Sequence, residues 1–472
     1  MAKFLHLRVL LALLLGLGSL SAAHASHLLG GDITFATIPS TTAGVPRYHV
    51  VARRFVNFYA DGTLAIPLTA SRGGCSAPLA GSFTVQVPIT RWVTIASGCS
   101  TSSQFSYRIA YHEVDLDLPA GEWLLSYTDG NRTNGILNIS NSGSVPFYIS
   151  TYLDNSFWTQ DSSPTIESIT QLYVNATALS PYSLSAFDAD GDSLRYELVA
   201  PLEGCNQPVA STFTPHYVLN TSTGQLTPAT SGGTQGLYNL TYRISEYRKS
   251  TNNRWVLFGY VTRESMYSLY AYINQPPAFT TMQVNGGPAQ SLTVPIAALP
   301  GQTVQVTLQA TDPDAGQVLR FASDAPGLVP GLSLTPASGT TSVLLTWQVP
   351  ATLPPGRYHI PLAVLDDACP YSGSEERTLR FVVAANQPLA SRMAATAATD
   401  VYPVPFRDQV QFTTAPNQAV TVVDALGREV ARLTSTVDGR VRWQPTAALP
   451  AGLYLARGAD GRLLARLLRA GE

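Results

Sequence analysis

Lysine is almost absent from this 472-residue chain: Lys3 and Lys249 are the only two, and arginine carries the rest of the cationic charge. Charge of either sign is scarce, at 13% of residues with a formal net charge of −2. That balance argues against a nucleic-acid partner, which needs a basic stripe facing the phosphates. Long apolar runs are scarce too. Only Val9 to Leu20 is strongly apolar, and a spanning helix needs about 18 residues or more. None of the four cysteines forms a Cys-x-x-Cys pair, so a zinc ribbon or a thioredoxin-like site has no support. The motifs Gly-x-Ser-x-Gly and His-Glu-x-x-His are missing, as is the phosphate-binding glycine loop. Helix-period runs of good helix formers are rare. Thr, Ser, Val, Gly, Pro and Tyr are abundant instead, which is the composition of β-sandwiches joined by tight turns.

The first 25 residues combine Lys3 and Arg8, the apolar run and a closing Ala23-His24-Ala25. This is the layout of a secretory signal peptide, so the mature chain is expected to begin near Ser26 without a transmembrane segment. In an exported protein the cysteines at 75, 99, 205 and 369 are expected to be oxidised. Three pairings exist. Cys75 with Cys99 is favoured because both fall in one expected domain; Cys205 and Cys369 either bridge two domains or stay as buried thiols.

Alternation marks the strands. Tyr238, Leu240, Tyr242 and Ile244 alternate with Asn239, Thr241, Arg243 and Ser245, the period of a half-buried strand. Val304 to Ala310, Val343 to Val349, Tyr358 to Val364 and Leu379 to Val383 behave alike. An internal repeat is also present. Ala186-Phe187-Asp188-Ala189-Asp190-Gly191-Asp192 and the following Leu194-Arg195-Tyr196 match Ala310-Thr311-Asp312-Pro313-Asp314 and Leu319-Arg320-Phe321, with one insertion. Each copy continues to a Gly-x-Tyr strand start, at Gly236 and Gly356, and Asn274-Gln275-Pro276-Pro277 makes a stiff linker between them. The expected fold is all-β, several β-sandwich domains in a row. Its divisions are 1–25 signal peptide, 26–155 N-terminal β-domain, 156–275 and 276–385 sandwiches, 386–398 tether and 399–472 a small C-terminal sandwich.

The repeats resemble cadherin-like and immunoglobulin-like modules of bacterial surface proteins. The start Gly30-Gly31-Asp32-Ile33-Thr34-Phe35 resembles the N-terminal β-domain of large secreted Bacteroidetes proteins, some of them gliding-associated. The C-terminal stretch has Tyr402, Pro403 and Pro405, then Asp424, Gly427 and Arg428, then Pro450, Gly452 and Tyr454. It resembles the type A sorting domain of the type IX secretion system. Val404 departs from that pattern, where Asn is usual, and the Arg-rich end replaces the common Lys. This resemblance implies two partners, the outer-membrane translocon and a surface sorting peptidase. It also implies a mature protein anchored to surface lipopolysaccharide or released.

Two acidic groups invite chemistry. Asp188, Asp190 and Asp192 place carboxylates on alternate residues of a turn, as loops do for a hard cation such as calcium. Asp312 and Asp314 are the second copy's counterpart. The cadherin resemblance adds a strand-borne Glu246 and the linker Asn274 as ligands. The plain alternative is a solvated Asp/Gly turn. Glu113, Asp115 and Asp117 share one strand face and suggest a paired-carboxylate glycoside hydrolase, although any surface strand alternates this way. The leading expectation is an exported, non-enzymatic cell-surface or extracellular protein that binds or spaces, with an unidentified glycan or protein ligand, in adhesion, biofilm or surface motility. The competing one is a secreted polysaccharide hydrolase with its site in 26–155.

Overall fold

A computed structural model describes residues 28–57, 64–75, 79–95, 106–158, 160–166, 173–212, 216–229, 233–250, 252–336, 341–384, 401–425, 427–446, 448–459, 461 and 463–471. The signal peptide, the 386–398 tether and Cys99 lie outside these residues. Among them nearly all regular structure is strand, as expected. No described helix is long and apolar enough to cross a membrane. The chain divides into two compact units, Met1–Asn386 and Gln387–Glu472.

In the first unit, seven strands come from the N-terminal region: β1 (Leu28–Ile38), β2 (Arg47–Asn57), β3 (Ala65–Arg72), β4 (Phe83–Ile95), β5 (Tyr107–Asp117), β6 (Glu122–Asn131) and β7 (Pro146–Asp154). They pair in the order β1-β2-β5-β4-β3-β6-β7, which leaves β1 and β7 as edges. Two long strands of the first repeat, β8 (Gly236–Lys249) and β9 (Trp255–Tyr270), form a hairpin. Strand β9 pairs with β1 at Gly31 and Asp32 and with β7 at Leu153 to Thr151. Eight strands thus close a ring, and both edges are covered. At about 3.3 Å per residue, a 16-residue strand spans roughly 50 Å, enough to serve two cores.

The expected division at 155/156 is therefore corrected: the N-terminal sheet is completed by residues far beyond it. Buried charge ties the same parts together. The Arg53 guanidinium donates to both Asp32 oxygens (2.7 and 2.6 Å), with Arg263 of β9 3.6 Å from Asp32. Arg132 donates to both Glu264 oxygens at 2.6 and 2.7 Å, and both side chains are fully buried.

Strand β8 also departs from the half-buried reading. Tyr238, Leu240, Tyr242 and Ile244 are buried, but so are Asn239, Thr241 and Ser245. The polar face is covered and internally bonded: Asn239 Nδ2 donates to Glu264 Oε1, and the Thr241 hydroxyl donates to Asn239 Oδ1.

The disulfide is a second correction. Cys75 is bonded to Cys205 across 130 residues, with Cα atoms 5.5 Å apart, so the Cys75–Cys99 pairing does not stand. The reason is topological. Strand Leu202–Gly204 pairs with β7, which carries the 205 turn to the N-terminal sheet. Cys369 is also disulfide-bonded.

The second repeat is a two-sheet sandwich. Ala278–Val284, Thr303–Thr311, Ser342–Gln348 and Leu332–Pro336 form one sheet; Ile296–Ala298, Ser374–Val383, Gly356–Leu365 and Arg320–Ala322 form the other. In Thr303–Thr311 and Ser342–Gln348 the alternation reads true: Val304, Val306, Leu308, Val343, Leu345 and Trp347 are all buried in a shared core, whereas Tyr358 to Val364 is buried on both faces, His359, Pro361 and Ala363 included. Trp347 meets the Phe381 ring edge-on at 4.9 Å.

The Gln387–Glu472 unit has a four-stranded sheet, ordered Glu429–Thr434, Ala419–Val423, Gly452–Gly458, Leu463–Arg469, and a two-stranded one of Val410–Thr413 with Arg440–Trp443. Phe406, Phe412, Trp443 and Tyr454 anchor its core.

Candidate functional site

The sharpest polar constellation gathers where the linker after β7 meets the aspartate loop and the end of β8. Asp188 follows a short strand, Ala186–Phe187, and Gly191 turns the loop with φ 79°. A side chain at that left-handed position would be strained, so glycine is required. Asp188 Oδ1 accepts the Asp192 backbone N–H at 3.0 Å, folding the loop on itself. Asp190 Oδ2 accepts the Ser162 N–H at 2.8 Å, which docks the linker. That contact brings in Asp161, which the sequence reading did not single out. Ligand atoms of Asp161, Asp190 and Asp192 lie within 4.8 Å of one another.

Behind them stands Glu246 on β8, fully buried, with neither carboxylate oxygen hydrogen-bonded. It is seated against Gly259, where an added Cβ would lie 2.1 Å from Glu246 Oε2. Asp188 is 1% exposed, and its Oδ2 has no partner; neither has Asp161 Oδ2. Among the described residues, Arg248 is the cation bonded to the group. Arg248 donates to Asp192 at 2.7 and 2.5 Å and to Asp161 at 3.0 Å, while its guanidinium lies 4.4 Å from the Phe258 ring.

Five carboxylates and one guanidinium form an unbalanced buried charge. Burial pushes Asp161 up to about 8, with Arg248 opposing and Asp192 and Asp188 adding repulsion. Burial and the neighbouring Asp192 push Asp188 up to about 7. Glu246 is raised well above the carboxylate range by burial and by Asp161. Such a group must either hold protons or hold a hard cation, because a buried unpaired carboxylate is costly. Calcium takes six to eight oxygen ligands, and the unpartnered oxygens of Asp161, Asp188 and Glu246 suit it. A surface cleft of about 590 Å³ is bordered by Arg47, Asp161, Ser162 and Asp190 and so reaches the outer edge of the cluster.

The other expected ligands lie elsewhere. Asn274, Asp312 and Asp314 gather at the start of the second repeat and do not join Asp188 or Glu246. Asn274 Nδ2 donates to Asp366 Oδ2 at 2.8 Å, and Asp314 Oδ2 accepts the Gln275 N–H at 2.8 Å. The seven residues thus form two groups.

The carboxylates on β5 are tied off across strands. Glu113 accepts from Arg91 at 3.1 Å, Asp115 meets His49 at 2.8 Å and Arg47 at 3.4 Å, and Asp117 lies 3.6 Å from Arg47. Asp129 accepts from Arg54 at 2.6 Å. Contacts with His49 and Arg47 hold Asp115 below its usual range, the opposite of what a general acid needs.

In the C-terminal unit, Asp424 closes a turn by accepting the Arg428 N–H (2.9 Å) and side chain (2.8 Å), with Gly427 at φ 81°. Tyr402 is exposed, and its backbone pairs with Gln411. Tyr454 donates its hydroxyl to Pro450 O at 2.6 Å. The same device recurs in both repeats: Tyr358 donates to Pro354 O at 2.6 Å and Tyr238 to Thr234 O at 2.8 Å. Leu353-Pro354-Pro355-Gly356-Arg357-Tyr358 even repeats the motif Leu449-Pro450-Ala451-Gly452-Leu453-Tyr454. Pro450, Gly452 and Tyr454 therefore serve a sandwich corner, whatever else they do.

No family model matches the chain, and no curated protein does. Among solved structures, it is similar to Drosophila N-cadherin EC1-4 at 13% identity, covering 63% of this chain and 71% of that one, with a TM-score of 0.17. It is similar to the human desmocollin-1 ectodomain at 10% identity, covering 77% and 73%, also with a TM-score of 0.17. An endo-fucoidan hydrolase of glycoside hydrolase family 107 matches at 14% identity over 63% of this chain and 39% of that one, with a TM-score of 0.16. At such TM-scores none of these likenesses carries an argument.

Proposed function

We propose that this chain is an exported modular protein that presents a binding face, or spaces one, on a β framework stiffened by a divalent cation outside the cytoplasm. The observation that carries the reading is the cluster of Asp161, Asp190 and Asp192, whose ligand atoms lie within 4.8 Å of one another, with the buried, partly unpartnered Asp188 and Glu246 near it, at the joint between the N-terminal ring and the first repeat. Extracellular modules hold calcium with dissociation constants of about 10⁻⁴–10⁻³ M. A linker carboxylate, a loop and a strand acid converging on one ion would lock three chain segments together. The Cys75–Cys205 bond agrees with an oxidising compartment. The C-terminal unit would be the type IX sorting domain that delivers this framework to the surface, recognised by the translocon and cut by the sorting peptidase. The ligand is taken to be a surface glycan or protein.

The test is thermal melting of the full exported chain at pH 7 in chelator and in millimolar calcium. At ten times the dissociation constant, binding adds about 1.4 kcal/mol, so the first unit should melt about two degrees higher. An unchanged melting profile sinks the cation reading. Export is tested separately: a chain lacking 399–472 should remain in the periplasm, and normal surface display of that chain would refute the sorting role.

A further inference from the structure

The two repeat copies hold the same site at their linker ends, built differently. Position by position, Asp161 answers to Asn274, for in each case the next residue donates its N–H to the middle loop aspartate. Ser162 donates to Asp190 Oδ2 at 2.8 Å, and Gln275 donates to Asp314 Oδ2 at 2.8 Å. Asp188 answers to Asp312 and Asp190 to Asp314. After the one-residue insertion, Gly191 (φ 79°) answers to Gly316 (φ 88°) and Asp192 to Gln317. On the strand, Glu246 stands eight residues after Tyr238, and Asp366 stands eight after Tyr358. Both acids are seated against a glycine: a Cβ on Gly259 would lie 2.1 Å from Glu246, and one on Gly373 would lie 2.6 Å from Asp366.

The chemistry at these equivalent positions differs. The first joint has five carboxylates, and Glu246, fully buried, has no hydrogen-bond partner at either oxygen. The second has three carboxylates and two amides at these positions; the amides tie off the strand acid Asp366, while Asp312 Oδ2 and Gln317 Oε1 are left without a partner. Asn274 Nδ2 donates to Asp366 Oδ2 at 2.8 Å, and Gln317 Nε2 donates to Asn274 Oδ1 at 2.7 Å. Asp366 also accepts the N–H groups of Ala368 (3.0 Å) and Gly373 (2.9 Å). Where the first joint has Arg248, ten residues after Tyr238, the second has Ala368. An amide supplies donors without charge, so it satisfies a carboxylate with no need of a metal.

We propose that the chain takes one divalent cation of calcium's size, at the first joint, and that the second joint is the same site with its strand acid, Asp366, closed by amide hydrogen bonds. This rests on the cation reading given under Proposed function. One joint then answers to the cation concentration while the other is permanently set. Asn274 and Gln317 are the residues that make the difference.

The experiment is calorimetric titration of the full exported chain, stripped with chelator, with calcium chloride. One equivalent is expected, lost in Glu246→Gln and kept in Asp366→Asn. The double variant Asn274→Asp with Gln317→Asp should take a second equivalent. Amide hydrogen exchange supplies a readout free of variants. Chelator should speed exchange around 161–166 and 186–192 and leave 274–284 and 312–322 unchanged. Two equivalents in the unaltered chain would overturn the asymmetry alone, as would one equivalent that survives Glu246→Gln and vanishes in Asp366→Asn. A folded double variant that still takes one equivalent would overturn the role given to the amides. No binding at all would instead overturn the cation reading itself.

Discussion

Replacing Glu264 with Gln should be among the most damaging single changes in the first unit. Glu264 lies on β9 and meets Arg132 in a two-point pair at 2.6 and 2.7 Å, with neither side chain exposed. Arg132 also donates to Leu202 O at 2.9 Å and to Pro146 O, and Glu264 accepts from Asn239 at 2.8 Å. The pair thus joins β7 and β9 to the 202–208 hairpin, the elements that close the ring. Glutamine keeps the shape of Glu264 but leaves the guanidinium buried without a counter-charge. Breaking a buried pair in this way costs about 3–5 kcal/mol. That is a large share of the roughly 5–15 kcal/mol that holds a domain folded. Replacing the whole pair (Glu264→Leu with Arg132→Met) removes both charges and should cost far less than the two single changes added together. Equilibrium unfolding in guanidinium, followed by tryptophan fluorescence, measures both. Trp123 reports on the N-terminal ring and Trp347 on the second repeat, since each is buried in its own core. The loss should fall on the transition that includes Trp123. If Glu264→Gln costs less than about 1 kcal/mol, or if the single changes simply add, the pair is not the clamp described.

Three further expectations follow from particular contacts. Peptide mapping without reduction should link the Cys75 peptide to the Cys205 peptide, and Cys75→Ser should lower stability by about 5 kcal/mol in the chain-entropy account of a 130-residue separation; a Cys75–Cys99 peptide would refute the pairing. Burial, with Arg380 and Arg357 nearby, holds His359 down to about 4. Between pH 6.5 and 4 the unfolded chain therefore binds the extra proton, and stability falls as pH falls. At about 1.4 kcal/mol per pH unit this amounts to about 3 kcal/mol at pH 4. The stability difference between the unaltered chain and His359→Phe should shrink by that much across the window, and a pH-independent difference would refute it. Tyr358→Phe and Tyr454→Phe each remove one corner hydrogen bond and should each cost about 1 kcal/mol, measured on the separate unfolding transitions of the two units. If only Tyr454→Phe does so, the shared corner is an illusion.

Much of the second repeat was legible because in strands such as Thr303–Thr311 and Ser342–Gln348 one face meets a core and the other is more open to water, although Gly356–Leu365 is buried on both. Val304 to Leu308 and Val343 to Trp347 alternate for that reason, and they are buried as expected. Strand β8 alternates in the same way yet is buried on both faces, because the ring packs on its polar side; a period of two cannot tell water from a buried hydrogen-bond network. The aspartate loop was legible as a cluster, and Glu246 with it. Asp161 was missed because Gln160-Asp161-Ser162-Ser163 reads as ordinary linker. The signal that reveals it is the parallel between Asp161 to Pro164 and Asn274 to Pro277, both ending in proline ahead of a strand. Asp366 and Gln317 were missed because their partners lie 92 and 43 residues away from them in sequence.

By itself the sequence determined the all-β class, the doubled module and the acidic loops, because these follow from local alternation, turn residues and repetition. Only the tertiary structure decided that β9 closes the N-terminal ring, that Cys75 meets Cys205 and that the two equivalent joints differ in kind. Those are facts about which distant groups become neighbours once the chain is packed. Charge balance in particular belongs to the folded state: five carboxylates spread along a chain are ordinary, and gathered beside Arg248 they must hold either protons or a cation.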